Sequence, residues 1–165
     1  MKHQAYILLG SNQGNREGFL EQAAELVAVQ AGSVAKRSSI YETAAWGKED
    51  QPSFLNQVLL IETSLNPDNL MQTLLNIESQ LGRVRIEKMG QRTIDLDILL
   101  YDDLAYVSNL VTIPHPALQD RKFVLMPLAE IASAVIHPVF QQTVRSLLDQ
   151  CTDPLPVQIR ETEKR

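Results

Sequence analysis

The sequence predicts an α+β fold: a ferredoxin-like antiparallel sheet with helices packed mainly on one face, a β-α-β-β-α-β core plus C-terminal additions. Three observations carry the prediction. Short apolar runs within Ala5–Leu9, Leu55–Thr63 and Thr93–Tyr101 read as strands. Two segments of helical periodicity, each with start and stop signals, lie between them. The order of these elements along the chain is that of the fold. The length, 165 residues, suits a single domain spanning 1–165.

Ala5–Leu9 ends at Gly10, and Gly10–Asn15 is loop chemistry. Asn15 is positioned to cap a helix from Arg16 to about Ala31, with Phe19, Ala23, Leu26 and Val27 recurring on one side and Gly32 as its stop. Val34–Thr43 reads as a second strand of weak alternation, and Ala44–Ser53 as an exposed loop. The next helix has the clearest punctuation. Asn66 caps it, Pro67 takes its first position, Asp68 suits the positive end of the dipole, and Leu70, Leu74, Ile77 and Leu81 form its stripe before Gly82. After Thr93–Tyr101 come a proline-broken extended segment, Val111–Pro116, a helical segment Lys122–Ala132 containing Pro127, and a short helix over Thr143–Gln150. The segment 153–165 reads as a partly mobile tail.

The composition excludes several classes. With 44% hydrophobic and 21% charged residues, this is neither a disordered nor a fibrous chain. The one cysteine, Cys151, permits no intramolecular disulfide and no cysteine-based zinc cage. The longest N-terminal apolar run is too short for a leader or a membrane span, so a cytoplasmic protein without membrane attachment is expected. A net charge of −5 argues against a nucleic-acid partner but leaves room for a small anion at a local basic cluster. Residues 83–92 supply that cluster: Arg83, Arg85, Lys88 and Arg92 against Glu87 alone. A solvated loop is the other reading of such a run.

Asp95-Leu96-Asp97 carries the strongest chemical signal. On a strand both carboxylates share one face, about 7 Å apart at the backbone, while Leu96 and Ile98 turn to the core. Two like charges on a half-buried face repel one another. A magnesium ion relieves that, completing its shell with water and phosphate; so does solvation at an exposed edge. The arginines just upstream, with His115 and Arg121 downstream, favour phosphoryl transfer, in which a metal bridges phosphate oxygens and cations offset developing charge. No Walker-type phosphate loop is present, and Gly10, Gly14 and Gly18 do not match a dinucleotide fingerprint. Tyr41, Trp46, Phe54 and Phe123 read either as core and surface residues or as a flat sandwich for a heterocycle.

The run from Lys88 to Leu99, with its R-T-x-D-L-D-I centre, resembles the signature of the 6-hydroxymethyl-7,8-dihydropterin pyrophosphokinase family of folate biosynthesis. The resemblance extends over Tyr6–Asn12, Tyr41–Thr43, Asp50–Asn56, Gly82–Arg85 and Pro114–His115. It implies an enzyme that transfers pyrophosphate from MgATP to the 6-hydroxymethyl group of the dihydropterin and releases AMP. It implies two magnesium ions held with ATP by Asp95 and Asp97, and phosphate contacts from Arg83, Arg85, Arg92, His115 and Arg121, with Arg83, Arg92 and Asp97 as catalytic residues. Phe54 and Phe123 are implied to stack on the pterin, with Asn56 and the stretch Thr43, Ala44, Trp46 at its edges. Glu78 is implied to lie near the nucleotide. ATP and the dihydropterin are the expected partners, and a monomer the expected state. The loops 44–53 and 83–92 are expected to open and close over the substrates. Met89, Gln91, Ala44-Ala45 and Pro116 depart from the family pattern.

Overall fold

The computed structural model describes residues 2–43, 53–82 and 93–160. Strand β1 (His3–Ser11) runs past Gly10, two residues beyond the apolar stretch that announces it. Helix α1 (Arg16–Gln30) starts where Asn15 Oδ1 accepts the Gly18 N–H at 3.1 Å. Its buried side chains are Leu20, Ala23, Ala24 and Val27. The stripe is therefore turned by one position from the expected one, and Phe19 and Leu26 pack only at its margin.

The expected second strand is two strands, β2 (Ser33–Arg37) and β3 (Tyr41–Thr43). Ser38 interrupts them. Its N–H donates to Val58 O and its Oγ accepts the Val58 N–H, each at 2.9 Å, so a side chain takes over one rung of the ladder. Strand β4 (Phe54–Thr63) is the longest, and helix α2 (Pro67–Gln80) follows, with Asn66 accepting the Asn69 N–H at 2.8 Å. Strand β5 (Asp95–Tyr101) precedes a hairpin absent from the sequence reading, β6 (Tyr106–Val107) with β7 (Thr112–Ile113). Asp68 at the start of α2 ties this hairpin down by accepting from Tyr106 Oη at 3.0 Å and Ser108 Oγ at 2.6 Å. Helix α3 (Lys122–Ala132) continues through Pro127, and α4 (Val144–Gln150) starts at a Thr143 cap. Strand β8 (Val157–Ile159) lies in the stretch that reads as a tail.

The main sheet is antiparallel in the order β5-β1-β4-β3-β8, with β2 also paired to β4. Helices α1 and α2 cover one face, where Ile7, Leu9, Leu59, Ile61, Leu74 and Ile77 join a first core. The C-terminal additions cover the other: Tyr6, Leu8, Val58 and Leu60 meet Val124, Leu125 and Leu128 of α3 and Val144 and Leu147 of α4. Both faces of β1 and β4 are thus dry, which is why these strands read as unbroken apolar runs instead of alternating ones. Each such leucine or isoleucine contributes about 1.5–3 kcal/mol by leaving water.

Candidate active site

The register of the sheet assembles the site. Asp97 of β5 lies opposite Leu8 of β1, whose side chain belongs to the second core. Asp95 lies opposite Gly10, Gly10 opposite Asn56 of β4, and Asn56 opposite Tyr41 of β3. Cross-strand partners share a face, so Asp95, Asn56 and Tyr41 form one row, with Asp97 one row on. Thr43 and Phe54 are partners in the row beyond Asn56. Candidate metal ligands and candidate pterin ligands thus occupy the α3 face of one sheet. Asp95 and Asp97 are half-buried, between the buried Leu96 and Ile98 that anchor the other face.

Gly10 makes the row possible. A Cβ there would stand 2.8 Å from Asn56 Nδ2, so the amide occupies the room a side chain on β1 would need. Asn56 and Thr43 are each 3% exposed, yet Asn56 Oδ1 and Thr43 Oγ1 are buried without a hydrogen-bond partner among the described residues. Leaving such atoms unpaired costs about 1–3 kcal/mol each, which a ligand with complementary donors recovers. Tyr41, in contrast, is core: its hydroxyl donates to Glu130 Oε1 at 2.7 Å, and burial and that carboxylate push its pKa well up.

His115 is placed by an irregularity in β5. Leu99 is the extra residue where the β1 register shifts, and its carbonyl accepts the His115 N–H at 3.0 Å. The imidazole Nδ1 accepts the Ala117 N–H at 3.2 Å, which leaves Nε2 as the ring's donor. Burial, and then the nearby Arg121 guanidinium, lower its pKa, so the ring is neutral at pH 7. Arg121 precedes α3 and lies 5.8 Å from the centre of the Phe123 ring, while Asp153 caps the helix by accepting the Lys122 N–H at 3.1 Å. Phe123 and Phe54 are both half-buried on this side of the sheet.

Glu78 sits apart from these residues, on α2 and in the opposite layer. It is 3% exposed, and its Oε2 accepts the backbone N–H of Leu96 at 2.8 Å, between the two aspartates. No periodicity distinguishes it from a surface acid; its place one residue after the buried Ile77 is the available signal. Ala44, Trp46, Arg83, Arg85, Lys88, Met89, Gln91 and Arg92, and with them both expected closing loops except Ser53, lie outside the described residues. Among the described residues no cluster of three or more His, Cys, Asp and Glu side chains is assembled for a metal. A donor set of two carboxylates suits magnesium, which keeps water and takes phosphate oxygens, and does not suit zinc. No helix among the described residues is long and apolar enough to cross a membrane.

A strand bearing two half-buried carboxylates, in the same sheet face as the buried polar Asn56 and Thr43, is an arrangement that suits a metal-dependent transferase acting on phosphates. Residues 6–133 match the family described as 7,8-dihydro-6-hydroxymethylpterin-pyrophosphokinase. A Bacillus subtilis 2-amino-4-hydroxy-6-hydroxymethyldihydropteridine pyrophosphokinase is 48% identical over 136 residues, covering 82% of this chain and 81% of the relative. The enzyme of that name from Synechocystis is 43% identical over 158 residues, covering 94% of this chain and 80% of its own length. Among solved structures, a Plasmodium falciparum HPPK-DHPS superposes with a TM-score of 0.75 at 17% identity, over 91% of this chain. This chain spans 45% of that longer one, and the likeness there is one of fold. The chain belongs to the dihydrohydroxymethylpterin pyrophosphokinase family. It is an ATP-dependent diphosphokinase of folate biosynthesis that transfers pyrophosphate to hydroxymethyldihydropterin.

Proposed function

We propose that the α3 face of the sheet is where this transfer takes place, with the dihydropterin over β3 and β4 and the triphosphate of ATP over β5. The observation that carries the assignment is the pair of buried atoms Asn56 Oδ1 and Thr43 Oγ1, without partners among the described residues, on the face that also bears Asp95 and Asp97. Asn56 and Thr43 hydrogen-bond the polar edge of the pterin, with Ala44 and Trp46 continuing that edge. Phe54 and Phe123 supply its apolar walls. Asp95 and Asp97 hold two magnesium ions with the nucleotide. Bound there, magnesium neutralises triphosphate charge and polarises the β-phosphoryl group.

The chain's own groups supply the rest. His115 offers its Nε2–H to a phosphate oxygen as a neutral donor, and Arg121 adds charge beside it. Arg83, Arg85 and Arg92 are assigned to the triphosphate by the family pattern, with Arg83 and Arg92 acting on the charge that develops as the pyrophosphoryl group moves. Glu78 serves the nucleotide through the strand: by holding the Leu96 N–H it fixes the span between the two carboxylates. The hydroxymethyl oxygen attacks the β-phosphorus and AMP leaves. Positioning two substrates on one rigid sheet is the main catalytic means.

A monomer is the working unit of this reading. The free thiol of Cys151 and the absence of a spanning helix among the described residues support a cytoplasmic setting. The test is AMP release from ATP and magnesium, with and without dihydropterin, in the parent and in Asn56→Ala. Pterin-dependent AMP that Asn56→Ala loses through weaker pterin binding is the expected result. An Asn56→Ala enzyme with parental pterin affinity refutes the pocket assignment.

A further inference from the structure

Beneath the proposed pterin pocket, on the α1 side of the sheet, four residues distant in sequence form a closed polar group. Glu42 stands between Tyr41 and Thr43 but points the other way, as does its strand partner Leu55 in the first core. Its Oε2 accepts from Ser53 Oγ at 2.5 Å, Arg16 at 3.3 Å and Arg160 at 3.4 Å. Arg16 also donates to Ser53 O at 2.8 Å and to Ser53 Oγ at 2.9 Å. Arg160 donates through Nε to Glu17 at 2.5 Å and through its backbone N–H to Ile40 O at 2.8 Å. Strand β8, directly before Arg160, pairs along β3 over Tyr41–Thr43.

The location makes this more than a surface ion pair, which is worth about 0–1 kcal/mol. Glu42 and Ser53 directly precede Thr43 and Phe54, the cross-strand pair at the end of the pocket. One carboxylate with three donors thus ties together the backbones of β3 and β4, the start of α1 and the C-terminal strand. The Ser53 hydroxyl foremost, with Arg16 and Arg160, holds the Glu42 carboxyl below its usual pKa, against the contrary pull of burial.

We propose that the Arg16–Glu42–Ser53–Arg160 group, closed by β8, is a positioning device for the dihydropterin. It acts through the backbone from the opposite face and sets the spacing of Thr43 and Phe54. The inference rests on the assignment of Thr43, Phe54 and Asn56 to the pterin.

The experiment uses full-length Glu42→Gln, Arg160→Ala and their double variant, with Asn56→Ala alongside. It measures pterin Kd, KM for each substrate, kcat and Tm. Each single variant is expected to weaken pterin binding about tenfold, as Thr43 and Phe54 lose their set spacing. KM for ATP should stay unchanged, the double variant should be less than additive, and Arg160→Lys should restore most of the affinity. A lower Tm with parental pterin affinity, or equal rises in both KM values, overturns the inference and leaves a structural brace. Lost pterin binding in Asn56→Ala beside an unaffected Glu42→Gln overturns the positioning role alone. Parental binding in Asn56→Ala overturns the pocket assignment and this inference with it.

Discussion

Gly10→Ala probes the proposed pterin site at the close approach of β1 to the Asn56 side chain, between Asp95 and Asn56. The new methyl group would start 2.8 Å from Asn56 Nδ2. Non-bonded heavy atoms settle at about 3.5–4.0 Å, so the amide must retreat by roughly 1 Å. The backbone does not resist: only Gly14 and Gly82 among the described glycines have positive φ, and alanine at Gly10 gains about 0.4–1 kcal/mol by restricting the unfolded chain. Crowding a packed site costs about 1–3 kcal/mol, leaving a net loss of up to about 2.6 kcal/mol. That lowers Tm by about 2–4 °C per kcal/mol for a chain of this size. The larger effect falls on binding. A displaced Asn56 should forfeit the hydrogen bond proposed between it and the pterin, worth about 1–3 kcal/mol, which raises the pterin Kd by about 5- to 150-fold. KM for ATP should hardly move. Titration with dihydropterin, AMP release with each substrate varied, and thermal melting separate these terms. Asn56→Ala in the same background should return the lost stability, because the clash is with the amide itself. Parental pterin affinity in Gly10→Ala, or a rise confined to ATP, would refute the reasoning.

Asp97→Asn should abolish magnesium-dependent turnover while the pterin Kd holds; turnover near the parental rate removes Asp97 from the metal assignment. Arg92→Ala should depress kcat more than it weakens pterin binding, and an unchanged kcat with a raised KM contradicts its place at the transferring group. Glu78→Ala strands the buried Leu96 N–H, at a cost of about 1–3 kcal/mol, and should raise the magnesium concentration needed for half activity. A melting loss without any change in magnesium dependence confines Glu78 to folding. Burial lowers the pKa of His137, as burial and Arg121 lower that of His115, below the ordinary 6.5. The unfolded chain therefore binds protons first on acidification, so stability is full above pH 6.5 and falls below it. Urea midpoints between about pH 7.5 and 5 should fall less steeply in His115→Gln and His137→Gln. Slopes equal to the parent's would show that neither ring is linked to folding.

Elements that obey local rules were legible before any coordinates. Asn15 and Asn66 cap the helices they announce, and the alternation over Asp95–Ile98 separates carboxylates from core as the strand period requires. The R-T-x-D-L-D-I segment pointed to the family that residues 6–133 match. Features that depend on distant partners were hidden. Ser38 looks like one more strand residue until its hydroxyl meets Val58. The short β8 takes its structure from the edge of β3, and no pattern in Val157–Ile159 reveals that pairing. Glu78 reads as a solvated helix acid because its partner is a backbone N–H of a strand, which carries no sequence signal. The helices of the second layer were legible over Lys122–Ala132 and Thr143–Gln150, but their docking on the far face of the sheet was not.

The shift at Leu99 has a consequence for which lengths this strand tolerates. Before it, Asp95 and Asp97 face α3; after it, Leu100 packs in the second core and Tyr101 in the first, its hydroxyl on Leu65 O at 2.6 Å. The two halves of β5 are in opposite phase, and one residue joins them. Losing that residue turns either both aspartates into the hydrophobic layer or Leu100 and Tyr101 onto the wrong faces, and it removes the carbonyl that seats His115. A surface loop absorbs an insertion or deletion as a change of contour. Here the residue count is a matter of parity, and the segment from Asp95 to Tyr101 can vary in composition far more readily than in length.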